Sequence, residues 1–158
     1  GRATKYKSLA IGRFEILGPQ RTHMLYRKSS HRLVQDEYNR WIQPPDELIA
    51  NEFYRQFQQS GLFERVFPDV PRSAELILSG TLLNLEVTPD LQASMKLAVH
   101  LTQQNRNGRK TLFSENYKVT EPLAKPGPDQ FAKAAAKALR AIIESVLRDT
   151  AQRVGTPH

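Results

Sequence analysis

The sequence predicts an α+β domain in which two helices cover one face of a mostly antiparallel sheet. Three observations carry this. Apolar and polar residues alternate with a period of two in several separate stretches, as half-buried strands require. Two other stretches repeat at helical spacing and open on Pro45 and Pro128, prolines that suit a first helical position. The resulting order, β-β-β-α-β-β-β-α, is not the strict alternation of a doubly wound parallel sheet. The 158 residues fit one domain, and a chain of this size buries about 68–70% of its unfolded surface without help from metal or disulfide. The domain is read as residues 1–158, with its core from 9 to 153 and a frayed tail over 154–158.

Residues 8–17 form the first strand: Ala10, Gly12, Phe14 and Ile16 recur at every second position, and Gly18-Pro19 closes the run. Two extended segments follow, 23–28 and 31–38, and Lys28-Ser29-Ser30-His31 between them can reverse the chain into a hairpin. The first helix starts at Pro45, with Asp46 and Glu47 complementing the positive end of its dipole, and stops at Ser60-Gly61. Ile49, Phe53 and Phe57 recur every four residues as its buried stripe, which Leu48 widens. Leu62 to Phe67 is a short connector or strand leading to Pro68-Asp69-Val70-Pro71.

Residues 74–119 then read as a three-stranded meander. Ala74 to Val87 is apolar on both sides, as a central strand should be, with Gly80 as a candidate bulge or bend. Thr88-Pro89-Asp90 turns the chain. Met95, Leu97, Val99 and Leu101 then alternate with Lys96, Ala98, His100 and Thr102, predicting one buried and one polar face. Asn107-Gly108, the strongest short turn signal, leads into Thr111 to Val119, where Phe113, Tyr117 and Val119 share a face. Pro122, Pro126, Gly127 and Pro128 precede a last helix running from Pro128 to Arg153. At helical spacing Phe131, Ala135, Leu139, Ile142, Ile143, Val146 and Leu147 fall within an arc of about 160°, and Lys133, Lys137, Arg140, Glu144 and Arg148 occupy the other side. Core packing accounts for that apolar face, which leaves open whether a small lipid pocket lies between the last helix and the sheet.

Lysine and arginine total 23 against 16 acidic residues, for a net charge of +7. The basic residues are scattered rather than blocked, so a solvated mixed surface is the plain account. The balance suits anionic lipid headgroups, an acidic protein surface or nucleic acid. No cysteine occurs, which excludes disulfides, thiol nucleophiles and Cys-built zinc sites. No apolar run of about 18 residues exists, and Gly1 to Lys7 lacks the apolar core of a signal peptide, so the expectation is a soluble body. His23, His31, His100 and His158 form no helical metal-binding pair. Asp36 and Glu37 are adjacent and would point to opposite faces of a strand. Neither a Gly-x-Ser-x-Gly elbow nor a phosphate-cradling Gly-x4-Gly-Lys-Ser/Thr loop is present. No catalytic residue, metal or cofactor is therefore expected.

The stretch with an identity is Asp36-Glu37-Tyr38-Asn39-Arg40-Trp41-Ile42-Gln43-Pro44-Pro45, which places the only tryptophan just before a double proline and a helix start. With Tyr26, Glu37, Tyr38, Arg40, Trp41 and Pro45 in this order, the chain resembles the ABC-type transport auxiliary lipoproteins, the PqiC-like family of Gram-negative envelopes. The resemblance implies a similar α+β fold, with a signal peptide and a lipid-modified cysteine upstream of Gly1. It also implies a non-catalytic periplasmic accessory subunit of an ABC-type or MCE-type lipid transport system, supporting envelope integrity by binding and tethering. The implied partners are a transporter or MCE-type subunit, copies of itself, and a membrane held through the N-terminal lipid, with the outer membrane ranked ahead of the inner.

Tyr38, Arg40 and Trp41 are the candidate partner contacts, because aromatic and Arg side chains dominate interface energetics when desolvated. Lys133, Lys137, Arg140 and Arg148 are the candidate basic surface. Trp41 also has a purely structural reading, as a lid sealing the helix against the sheet. The alternative function is a basic nucleic-acid-binding module using Tyr38, Arg40 and Trp41 as a stacking platform, although no RNP-type or Gly-x-x-Gly signature accompanies them.

Overall fold

The computed structural model describes residues 6–18, 23–41 and 43–154, with the backbone alone at Glu37 and Tyr38. Along it run β1 (Ser8–Ile16), β2 (His23–Ser29), β3 (Arg32–Arg40), α1 (Pro45–Ser60), β4 (Arg65–Phe67), β5 (Leu76–Val87), β6 (Gln92–Asn105), β7 (Gly108–Pro122) and α2 (Pro128–Val154). Helix α1 begins on Pro45 and ends at Gly61, whose left-handed φ of 69° is the conformation glycine adopts without penalty. Val154 closes α2 and is buried, so the predicted tail is shortened by that residue, and the rest of it, 155–158, lies outside the described residues. Pro19 of the predicted Gly18-Pro19 stop also lies outside them.

The α+β class holds, but the sheet is mixed rather than mostly antiparallel. Strands β2–β3, β5–β6 and β6–β7 pair antiparallel. Strands β1–β4, β1–β5 and β2–β5 pair parallel. The hairpin and α1 lie between β1 and β4 and return the chain to the end where β1 began, so Ser8 meets Arg65 and Leu9 meets Leu76 in parallel register. Leu62 to Phe67, read as connector or strand, holds β4 on the outer edge of β1.

Strand β5 organises the sheet. One of its edges pairs with β6 along its length, and the other pairs with β1 over Leu76–Leu82 and then with β2 at Val87. Its Leu76, Leu78, Leu82, Leu85 and Val87 share a face with Met95, Leu97, Val99 and Leu101 of β6 and with Phe113 of β7, and all are buried in one core. Both helices close that face. Helix α1 contributes Ile49, Phe53 and Phe57, and α2 contributes Phe131, Leu139, Ile142, Ile143 and Val146. Phe14 stacks on Phe53 with ring centroids 4.9 Å apart. No helix among the described residues is long and apolar enough to cross a membrane.

Against β6, strand β5 carries an extra residue at Leu83, between Leu82 and Asn84, whereas beside Gly80 the register shift puts the extra residue on β1, between Ile11 and Phe14. Gly80 serves a different need. A methyl group there would run into the Ala98 carbonyl of β6 and come within 2.9 Å of Phe14 Cε1. The missing side chain lets Phe14 cross the strand beneath Phe53. Gly80→Ala should therefore destabilise the fold by about 2–3 kcal/mol through overpacking, read as a lower urea midpoint at unchanged slope.

Candidate functional site

The junction between β3 and α1 is built by an irregular strand. His23 opposes Arg40 and Leu25 opposes Gln35, so Met24 of β2 alone faces the four residues Asp36–Asn39 of β3. Asp36 folds this excess back on itself, accepting hydrogen bonds from the Asn39 backbone N–H and from Asn39 Nδ2, both at 2.9 Å. The alternation expected for Asp36 and Glu37 falls in part on the Glu37 side chain, which lies outside the described residues. The side chain of Tyr38, the first candidate contact, lies outside the described residues.

Arg40 ends β3 and is exposed, whereas Trp41 turns inward and packs edge-on against Phe131 of α2, with centroids 5.0 Å apart and planes at 67°. Tyr26 meets the same phenylalanine at 5.8 Å. The chain then extends through Pro44, whose carbonyl accepts from the Leu48 N–H at 3.2 Å as α1 starts without a side-chain cap. Trp41 is half-buried, with its ring held against Phe131.

Behind Trp41 lies a cavity of about 430 Å³. Met24, Leu85 and Met95 form its floor; Trp41, Pro45, Leu48 and Ile49 form one wall, and Pro128, Ala132, Ala135 and Ala136 the other. Asn39, Arg40, Gln43 and Asp129, all exposed, make its polar rim. Both helices begin here. Four buried side-chain polar atoms lack a hydrogen-bond partner among the described residues, and three of them, His23 Nδ1, Trp41 Nε1 and Asp46 Oδ1, belong to this corner. Trp41 was the signal legible beforehand; Leu48, expected to widen the buried stripe of α1, is exposed at the cavity instead, and the floor residues sit on three different strands and gave none.

The basic candidates separate into two places. Lys133, Lys137 and Arg140 line a shallow cleft with Pro122 and Ala124. Arg148 stands about 12 Å further along α2 by helical rise, where its Nη2 donates to Ser145 Oγ at 3.2 Å. All four are exposed.

Sequence reasoning missed an ionic cluster on the sheet face away from the helices. Arg27 of β2 makes a forked contact with Glu86 of β5, Nε to Oε2 at 2.7 Å and Nη2 to Oε1 at 3.1 Å, and Asn84 Nδ2 adds a bond at 2.7 Å. Glu86 is only 6% exposed. The hydrogen bonds from Arg27 hold its carboxyl below the usual carboxylate range, against the opposing effect of burial and with help from Asn84. The signal available was an acid near the end of an apolar strand, but its partner lies 59 residues away. A half-buried polar contact joins α2 to β7: Tyr117 donates to Asp149 at 2.6 Å, and burial together with that carboxylate pushes the phenol's pKa up.

His23 and His100 stand on β2 and β6, and His31 lies in the hairpin turn; His158 lies outside the described residues. His100 Nδ1 is 2.6 Å from Ser114 Oγ. Among the described residues no three His, Asp or Glu side chains converge as a metal site.

Residues 15–146 match the model of the ABC-type transport auxiliary lipoprotein component family. No curated protein sequence matches the chain. Among solved structures, an uncharacterised protein superposes with a TM-score of 0.79 at 16% identity, over 91% of this chain and 92% of its own. A protein of Xanthomonas campestris gives 0.76 at 16% identity, over 93% and 88%. PelC of Paraburkholderia phytofirmans, crystallised as a dodecamer, gives 0.53 at 11% identity, over 90% and 88%. At these identities the structures share the fold.

Trp41→Ala should lower the free energy of unfolding by about 2–3 kcal/mol, somewhat less than for a fully buried aromatic, with Trp41→Phe restoring most of it in urea titrations. Glu86→Gln should lower the thermal midpoint at pH 7. Because the folded carboxyl is shifted down, its stabilisation exists above the unfolded carboxylate pKa and disappears as pH falls through the folded one. The wild-type and variant midpoints should therefore converge in acid, and a gap that persists there would count against the ion pair.

Proposed function

The chain belongs to the ABC-type transport auxiliary lipoprotein family, and from that premise we propose that it is a non-catalytic periplasmic accessory subunit of an ABC-type or MCE-type lipid transport system. It acts by binding and positioning, held to the outer membrane by an N-terminal lipid, and supports envelope integrity. The observation that carries this reading is the family match itself, which runs from the end of β1 into the last turns of α2 and so spans nearly the whole fold. The partners are a transporter or MCE-type subunit and copies of the chain; the dodecameric crystal form of PelC supports self-association as one mode.

Two surfaces suit docking. Arg40 lies exposed beside Trp41, and the Lys133, Lys137 and Arg140 cleft offers cations to an acidic partner or an anionic headgroup layer. A single acyl chain holds a protein to a bilayer only marginally, so a second, basic attachment adds to it. The ring contact of Trp41 with Phe131 works against the alternative of a nucleic-acid-binding module.

The first test is the N-terminal peptide of the full-length product, expressed in a Gram-negative host, fractionated and identified by mass spectrometry. An acylated cysteine upstream of Gly1 in the outer-membrane fraction is expected, and a cytoplasmic product without lipid would remove the proposal. Reversing Lys133, Lys137 and Arg140 together to Glu should leave the circular dichroism spectrum unchanged, since all three are exposed. Retention on anionic vesicles should fall, and the wild-type retention should weaken with salt on the scale of a Debye length, about 8 Å at physiological ionic strength.

A further inference from the structure

The cavity behind Trp41 has properties that tethering does not require. Its volume of about 430 Å³ falls within the range of about 300–1,000 Å³ typical of small-molecule sites. Its lining is apolar on three sides, and the polar groups are confined to the rim. One wall of it stays open because α2 presents alanines, Ala132, Ala135 and Ala136, where larger side chains would fill the space. A cavity of this make suits a hydrocarbon chain.

The rim argues for the charge of the head that such a chain would carry. Pro45 and Pro128, the first residues of α1 and α2, both line the cavity, so two helix dipoles bring their positive ends to one mouth. Arg40 adds a full positive charge, exposed and in no ion pair among the described residues. The opposing charges are Asp129 and Asp46, in the first turns of α2 and α1, where each dipole offsets a carboxylate. Trp41 also lines the cavity with its ring, while its Nε1–H is buried away from solvent and lacks an acceptor among the described residues. A head with anionic oxygens at the mouth would pair with Arg40.

We infer that the cavity between the N-terminal ends of α1 and α2 is a binding site for one acyl chain of an anionic amphiphile, with its acidic head at Arg40. This goes beyond accessory docking and stands on the cavity alone. A chain that captured its transport partner but bound no amphiphile would keep the earlier reading and lose this one.

The single tryptophan of the sequence lies in the cavity wall and serves as the reporter. The full chain is titrated with a saturated fatty acid brominated in mid-chain, below its micelle concentration, and with its methyl ester. Bromine quenches tryptophan only on contact. Saturable quenching is expected, with the unbrominated acid as a competitor. Ala136→Leu should weaken binding at least about tenfold, since each methylene kept out forfeits roughly fourfold. Arg40→Gln should weaken the acid by about two- to fivefold, the effect of losing a rim charge, and leave the ester unchanged.

Leu48→Glu is the variant that does not put folding at risk, because Leu48 is 38% exposed while lining the cavity; it should weaken the acid more than the ester. No quenching of a protein with native circular dichroism would overturn the inference. Quenching unchanged by both Ala136→Leu and Leu48→Glu would place the probe elsewhere and overturn it equally. Displacement by an amphipathic peptide, with no competition from the unbrominated acid, would assign the groove to a protein partner and overturn it too.

Discussion

The fold depends on the pairing of β5 along both edges. A strand flanked by β6 on one side and by β1 and then β2 on the other has no free edge to protect, and its Leu76, Leu78, Leu82, Leu85 and Val87 make an apolar face that must be covered. The two helices answer that need. Gly80 sits at the tightest point of this arrangement, where β6 approaches and Phe14 crosses to stack on Phe53. Pairing β1 and β2 end to end along one edge of β5 also brings β3 and the start of α1 to the Val87 end of the sheet, which fixes where the junction lies.

From that placement the site follows. The bulge at Asp36–Asn39 absorbs residues that a regular hairpin could not accommodate, and β3 ends with Trp41 turned onto Phe131. Trp41 and Tyr26 grip the same ring, so β2, the junction and α2 are tied through one aromatic residue. Helix α2 passes this point with alanines, so the space between it and α1 is not filled. Close packing is the rule in protein interiors, and an unfilled apolar space beside partnerless polar atoms marks a departure from it.

Charge is distributed with the same logic. The net +7 is not gathered on one element: Lys133, Lys137, Arg140 and Arg148 keep to the wet side of α2, Arg40 stands at the cavity mouth, and Arg27 is consumed by Glu86 on the far face of the sheet. The forked pair joins β2 to β5 where their backbone pairing is limited to Tyr26 and Val87. It therefore compensates with side chains for a short ladder, and orientation is what a bidentate Arg contributes beyond charge.

Much of the architecture was legible in the residues themselves. Pro45, Gly61 and Pro128 marked helix ends because proline and glycine restrict or free φ locally. Asn107-Gly108 marked the β6–β7 turn, and the four-residue recurrence of Ile49, Phe53 and Phe57 marked the buried side of α1. The family was legible too, through the order of Tyr26, Arg40, Trp41 and Pro45. Strand direction was not, because a period of two reads the same from either end; only the return of the chain through α1 made β1 parallel to β4 and β5. The bulge opposite Met24, the Arg27–Glu86 pair and the cavity were likewise decided by tertiary structure, since each is made by residues distant in sequence whose meeting no local pattern encodes. The sequence by itself determined the elements and their wet and dry faces; how those faces were joined, and what space was left between them, was settled by long-range packing.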